Sequence, residues 1–293
     1  MNIKDTTALF VFVDDFCKTV DKYLASKLLK VHKSRKPTRK PSIQISEMVT
    51  IMLLFQQSPC IWFKYFYLEY LPVHHAQDFC LVSYSRFIQL IPRVLPYMVL
   101  IMQWYTHQVK MSGISFIDVT SLAVCHPKRI KRNRVFLGVA GLGKTTKGWF
   151  YGLKLHMIIN EAGEILNIRI TPGNTDDRAH VPEMTERITG LLFGDKGYIK
   201  QELFQTLYAK GLKLVTGIKK KMKNKLMILR EKILLRKRSV IESVFAVLKE
   251  SHRIEHSRHR SVWSAFVHIF SALIYYSLKP SKPSIRDQCL IQN

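Results

Sequence analysis

The sequence is poor in acids, in paired cysteines and in long uninterrupted apolar runs, and each shortage excludes something. Asp and Glu total 21 against 46 Lys and Arg in 293 residues, a formal charge of +25. Such an excess repels cationic partners and attracts polyanions, of which nucleic acid is the commonest. The five cysteines (Cys17, Cys60, Cys80, Cys125 and Cys289) are far apart, with no CxxC and no metal-ligand spacing. They read as reduced thiols and exclude a disulfide scaffold or a zinc knuckle. The start MNIKDTTALF lacks the basic and apolar regions of a signal peptide. The longest apolar stretch, 265–278, is interrupted by His268, Ser271 and Ser277 and reads as a core helix rather than a membrane span. The expectation is a soluble cytoplasmic protein with no membrane partner.

What is present is 47% hydrophobic residues, enough for a packed core over one large or two ordinary domains. Residues 1–30 carry apolar positions at helical spacing. A basic run over 30–40 (KVHKSRKPTRK) reads as an exposed linker. Helical patterns return over 42–110, broken at Pro92 and Pro96, and fit either a helix-turn-helix module or a helical support domain. The texture changes at Ser112. ISFIDVTSL reads as a buried strand, and WFYGLKLHMIINEAGEILNIRIT as a hairpin turning at Glu161 to Gly163. There follow a helix over 179–189, a strand LLFGD, a helix over 200–210, a strand KLVTGI and a long helix over 230–251. This order implies an α/β fold with a mixed five-stranded sheet flanked by helices, preceded by an all-helical region. The domains expected are 1–110 (helical, DNA-binding or assembly), 111–280 (catalytic) and a tail over 281–293.

Three acids stand out by placement. Asp118 lies in a strand that otherwise reads as buried, where an ionised carboxylate is costly without a cation or donor. Asp195 closes LLFGD, and Glu242 lies on the long helix. Hard divalent cations choose carboxylate oxygens, and a pair of them can drive phosphodiester chemistry. Taken singly, each acid also has a structural explanation: an amide-bonded acid at 118, a turn acid at 195, a solvated helix residue at 242. Together they make one site. No His, Ser or Cys constellation competes for a nucleophile role.

GDKGY (194–198) and RSVIESVFAVLK (238–249) resemble the second and third catalytic motifs of the DDE transposases of bacterial insertion sequences. The broader third motif is Tyr, two residues, Arg, three residues, Glu, six residues, Lys. Arg238, Glu242 and Lys249 keep that spacing, while Leu235 occupies the Tyr position. FVDDFC, PGNTDDR, KNKLMILREKILLRKR and IEHSRHRS also look like segments of one insertion-sequence group. The resemblance implies a ribonuclease-H-like catalytic domain with Asp118, Asp195 and Glu242 as catalytic and metal-binding residues. It further implies two Mg²⁺ (or Mn²⁺) ions and cleavage and transfer of double-stranded DNA at terminal inverted repeats. A homo-oligomer on DNA, acting at the bacterial nucleoid, belongs to the same expectation. A nuclease that cuts without joining, and an inactive basic DNA-binding protein, are the alternatives.

GVAGLGKT (138–145) satisfies the phosphate-loop pattern, but no helix follows it, so it reads as a basic loop before the second strand. Asp176 and Asp177 read as helix caps and as reserve ligands should Asp195 fail; Asp14 and Asp15 lie on the polar side of the first helix. Residues 219–238 hold ten Lys and Arg against Glu231. They lead into the helix bearing Glu242, so Lys220 and Lys221 are read as phosphate contacts, together with Lys196, Arg238 and Lys249. HRIEHSRHRS (252–261) lacks zinc-ligand spacing and reads as surface or phosphate-binding.

Overall fold

The computed structural model describes residues 5–28, 41–146, 148–218, 227–255 and 259–285. The basic linker over 30–40 and the pair Lys220 and Lys221 fall outside them. The chain divides into two compact units.

The helical unit comprises the described residues of 1–104 and 261–279. It contains α1 (Thr6–Leu28), α2 (Ile45–Gln57), α3 (Tyr84–Leu90) and most of α4 (Leu95–Gln108). Between α2 and α3 runs a helical stretch over 63–74 whose middle, Phe66–Tyr70, is π-helical. Gln44 opens α2 with a capping box, its backbone amide bonded to Glu47. Pro92 falls in a 3-10 turn, Ile91–Arg93, where its missing amide costs little. The closing helix, Val262–Leu278, buries ten of its residues and packs against α2, with Gln56 donating to Ser271 across the seam. It therefore clusters with the amino-terminal helices rather than with the sheet, where sequence order had put it. No single described helix is long and apolar enough to cross a membrane. The bent pair of α3 and α4 passes such a test by composition, but Phe87, Ile91, Val94, Met98 and Ile101 along it are buried in this unit.

The second unit holds a mixed sheet of six strands: β1 (Ile114–Cys125), β2 (Gly141–Thr145), β3 (Gly148–Asn160), β4 (Ile165–Pro172), β5 (Gly190–Gly194) and β6 (Leu212–Thr216). β1 pairs antiparallel with β3, and β3 with both β4 and β2. β5 and β6 add in parallel on the other side of β1. The central path β4-β3-β1-β5-β6 is the five-stranded mixed sheet expected, and it has the ribonuclease-H-like order. β2 is the addition. GLGKT forms it by pairing with the first residues of β3, Lys144 opposite Trp149, so the phosphate-loop look-alike is an edge strand and not a loop before a helix.

Helices cover the sheet: α5 (Val181–Met184), α6 (Gln201–Ala209), α7 (Leu229–Lys237) and α8 (Val240–Ala246); the closing helix of the helical unit, Val262–Leu278, is α9. Two differ from sequence expectation. The helix expected over 179–189 shrinks to the four residues of α5, followed by turns in which the Thr185 hydroxyl donates to the Val181 carbonyl. The long helix over 230–251 breaks at Arg238 and Ser239 into α7 and α8, and ends in a π-helical turn, Val247–Ser251. One core, including Ile117, Ile158, Leu192, Leu207 and Tyr198, packs α5 and α6 against one face of the sheet.

Candidate active site

β1 and β5 set the first two acids. Their parallel register pairs Phe116 with Phe193, and the two rings stack 5.4 Å apart. That pairing ends two residues before both acids, and the charge of Asp195 acts on Asp118. Asp118 is at the point where β1 leaves β5 but continues along β3, opposite Met157. Asp195 ends its strand and caps the short turn Lys196–Tyr198, accepting from the Gly197 amide at 2.8 Å.

Arg238 ties in the third acid. From the break between α7 and α8 its guanidinium donates to Asp118 Oδ2 at 2.8 Å and to Glu242 Oε1 at 2.9 Å. The other Asp118 oxygen accepts from the Val119 amide at 2.8 Å. Asp118 and Arg238 side chains are each 21% exposed, whereas Glu242 is 56% exposed. Burial raises the Asp118 carboxyl above its ordinary value. The Val119 amide and Arg238 pull the other way, and the Asp195 charge adds to the rise. Desolvation prevails over the ion pair, so Asp118 is held charged only at a cost.

Seven residues beyond Glu242, Lys249 sits in the π-helical turn and donates to the Ser121 carbonyl at 2.6 Å, also pairing with Glu255 at 2.9 Å. The Glu255 carboxylate in turn accepts from the Ala123 amide at 3.0 Å. The chain from Arg238 to Glu255 thus follows β1 from Asp118 to Ala123. Lys196 is exposed beside Asp195, its aliphatic stem lying over Gly217.

The reserve acids are occupied elsewhere. Asp176 grips Arg178 through its Nε and Nη2 atoms, which holds the carboxyl down at about 2. Asp177 pairs with Lys154 at 2.7 Å. Sequence reasoning passed over Tyr198, although it closes the quoted GDKGY. Its ring is in the core and its hydroxyl is buried with no hydrogen-bond partner among the described residues. Burial drives the hydroxyl's pKa well up, and the charges of Asp118, Asp177 and Asp195 drive it further.

The donor set suits a hard divalent cation: three carboxylates, no thiol and no imidazole. Among the described residues, no group of three or more His, Cys, Asp or Glu side chains is gathered closely enough to hold one ion. The cation between Asp118 and Glu242 is Arg238, so the fit requires that guanidinium to turn away.

A profile of the family described as the transposase DDE domain matches residues 108–262. The chain belongs to this family. The match runs from just before β1 to the start of α9, so this transposase carries the acids of both strands and of α8 inside the matched segment. Domains of this family use divalent metal ions. A solved structure described as a piggyBac transposase synaptic complex with hairpin DNA is similar in fold, with a TM-score of 0.50 and 11% identity. The similarity covers 99% of this chain and 79% of that one. A comparison with curated proteins finds no match.

Proposed function

We propose that this transposase cuts and rejoins double-stranded DNA at the terminal inverted repeats of an insertion sequence, with Asp118, Asp195 and Glu242 as its catalytic carboxylates. The observation that supports this most is the shared guanidinium: Asp118 of β1 and Glu242 of α8 meet on Arg238, and the charge of Asp195 acts on Asp118. Bound there, two Mg²⁺ or Mn²⁺ ions would stabilise charge on the attacking and departing oxygens.

The chain's own groups do the rest. The three carboxylates supply the oxygen ligands. Arg238, once released from the acids, is a planar fork suited to a phosphate. Lys249 and Lys196 bracket the site and neutralise phosphates on either side of it. Lys220 and Lys221 add backbone contacts that are independent of base sequence. Joining needs two ends and a target, so the working form is a homo-oligomer assembled on DNA in the bacterial cytoplasm.

The test is an assay in Mg²⁺ on a duplex carrying the inverted repeats that flank the gene. Cleaved ends together with joined products, both lost in Glu242→Gln, support the reading. Cleavage without joining would make the protein a nuclease, and neither product would make it an inactive DNA-binding protein.

A further inference from the structure

Between Asp118 and Glu161 the sequence contains no acid and eight Lys or Arg. Six of these, Lys128, Arg129, Lys131, Arg132, Arg134 and Lys144, are exposed on the excursion that joins β1 to β3. Among the described residues none of the six forms a salt bridge. Charged surfaces normally intersperse both signs, and like charges crowded together repel.

Here the crowding is built in by packing. Phe136 is buried, and its carbonyl accepts from the Tyr151 hydroxyl and from the amides of Val139 and Ala140. Asn133 caps the segment by accepting from the Phe136 amide at 3.2 Å. Ahead of it the 3-10 turn Pro127–Arg132 opens on His126, which accepts from the Lys128 amide. A cavity of about 390 Å³, lined by Cys125, His126, Lys128 and Arg129, opens at its foot. Lys144 lies 5.6 Å from the centre of the Trp149 ring, which is itself 59% exposed. An anchored loop that holds unpaired cations outward is a surface preorganised for a polyanion.

We propose that residues 126–146 form a DNA-contact arm, which grips the duplex flanking the cleavage point. This rests on the reading of Asp118, Asp195 and Glu242 as the cutting centre. The geometry fixes the reach. Seven residues of β1 separate Asp118 from Cys125, roughly 23 Å at the rise of a strand. That equals about seven base-pair steps of duplex at 3.4 Å each, so the arm meets phosphates some five to eight pairs from the cut. Lys249, on the Ser121 carbonyl and paired with Glu255, lies on the way between Asp118 and the arm.

The test measures salt-dependent binding of an end-bearing duplex, comparing a full-length form with one trimmed to four pairs on either side of the cut. The protein variant is Lys128→Ala/Arg129→Ala/Lys131→Ala/Arg132→Ala. Each lost phosphate contact removes about 0.9 from the slope of log K against log salt. The wild type should lose a slope of roughly 3 to 4 when the correct flank is trimmed, and the variant should show the lower slope on both duplexes. Arg129→Lys/Arg132→Lys should keep the full slope, and cleavage by the fourfold variant should persist at saturating DNA. If the fourfold variant does not fold, Lys131→Gln and Arg132→Gln alone should each lower the slope by about one. An unchanged slope in the neutralised variants overturns the arm while leaving the cutting centre intact. A wild type that binds duplex and shows the arm's slope, yet never cuts, would sink the cutting centre instead.

Discussion

Arg238→Ala separates the structural duty of the guanidinium from any duty toward DNA. In the wild type it holds Asp118 at 2.8 Å and Glu242 at 2.9 Å. The Glu242 contact is half exposed and worth little, at most about 1 kcal/mol. The Asp118 contact joins two side chains each 21% exposed, between the surface case and the buried case, where losing one partner costs about 3–5 kcal/mol. A loss of about 1.5–2 kcal/mol is expected, which for a unit of this size lowers Tm by roughly 3–8 °C. The assay is thermal unfolding in chelator and again in saturating Mg²⁺, where ligand at a hundredfold its Kd adds about 2.7 kcal/mol. Because an incoming ion must displace Arg238 in the wild type, Mg²⁺ should raise the Tm of the variant more than that of the wild type. The excess should match the stability lost in chelator. Asp118→Asn should show little Mg²⁺ response. The reasoning is refuted if Arg238→Ala melts with the wild type in chelator, or if Mg²⁺ shifts all three proteins equally.

Asp195→Asn keeps an oxygen to accept from the Gly197 amide, so the turn should survive. Mg²⁺-dependent cleavage should fall by two orders of magnitude or more, while DNA affinity holds or rises as a repelling anion is lost. Lys220→Ala/Lys221→Ala should do the reverse, lowering affinity and salt slope while cleavage at saturating DNA persists. Lys144→Ala should leave nucleotide binding at the wild-type background in equilibrium dialysis, because Lys144 is on an edge strand with no helix N-terminus behind it. His156 is 1% exposed, bonded to Thr171 at 2.8 Å, and burial lowers its pKa to about 4. The unfolded ring gains its proton near pH 6.5 and the folded one does not. Stability should therefore fall as pH drops from about 6.5 to 4, and His156→Gln should flatten that part of the denaturation profile.

What the sequence made legible tracks how local the cause is. β1, β3, β4, β5 and β6 are dense in Ile, Leu, Val and Phe, and such runs announce strands. β2 is GLGKT, with no strand composition of its own. It forms because β3 begins earlier than β4 ends and offers an unpaired edge at Trp149 to Gly152. The break between α7 and α8 was hidden because Leu234, Ile241, Val244 and Leu248 are all buried at spacings of one continuous helix. The place of α9 depended on contacts such as Gln56 with Ser271, across 215 residues, which no local pattern encodes. The three acids could be picked out because two end or interrupt apolar strands. Arg238 was legible as a motif member, yet its position between Asp118 and Glu242 was not, since it depends on a contact with Asp118 across 120 residues.

Arg238 shows how a basic residue reaches the strand that carries Asp118. It lies one turn before Glu242 on the same face, the ordinary i,i+4 spacing of a helix ion pair. In the turn before α8 it keeps helical backbone angles, its carbonyl accepts from the Ile241 amide, and the side chain spans Glu242 and Asp118 at once. The π-helical turn does the corresponding work at the other end. The wider turn that contains Lys249 brings that amine onto the Ser121 carbonyl, while its i→i+5 bonds, such as His252 to Val247 at 3.3 Å, keep the backbone satisfied. Both irregularities fall where a cation meets β1, and the regular α8 between them presents Val240, Ile241, Val244 and Phe245 to the interior. The apolar face fixes the helix along β1, and the cations that meet β1 stand at its two ends.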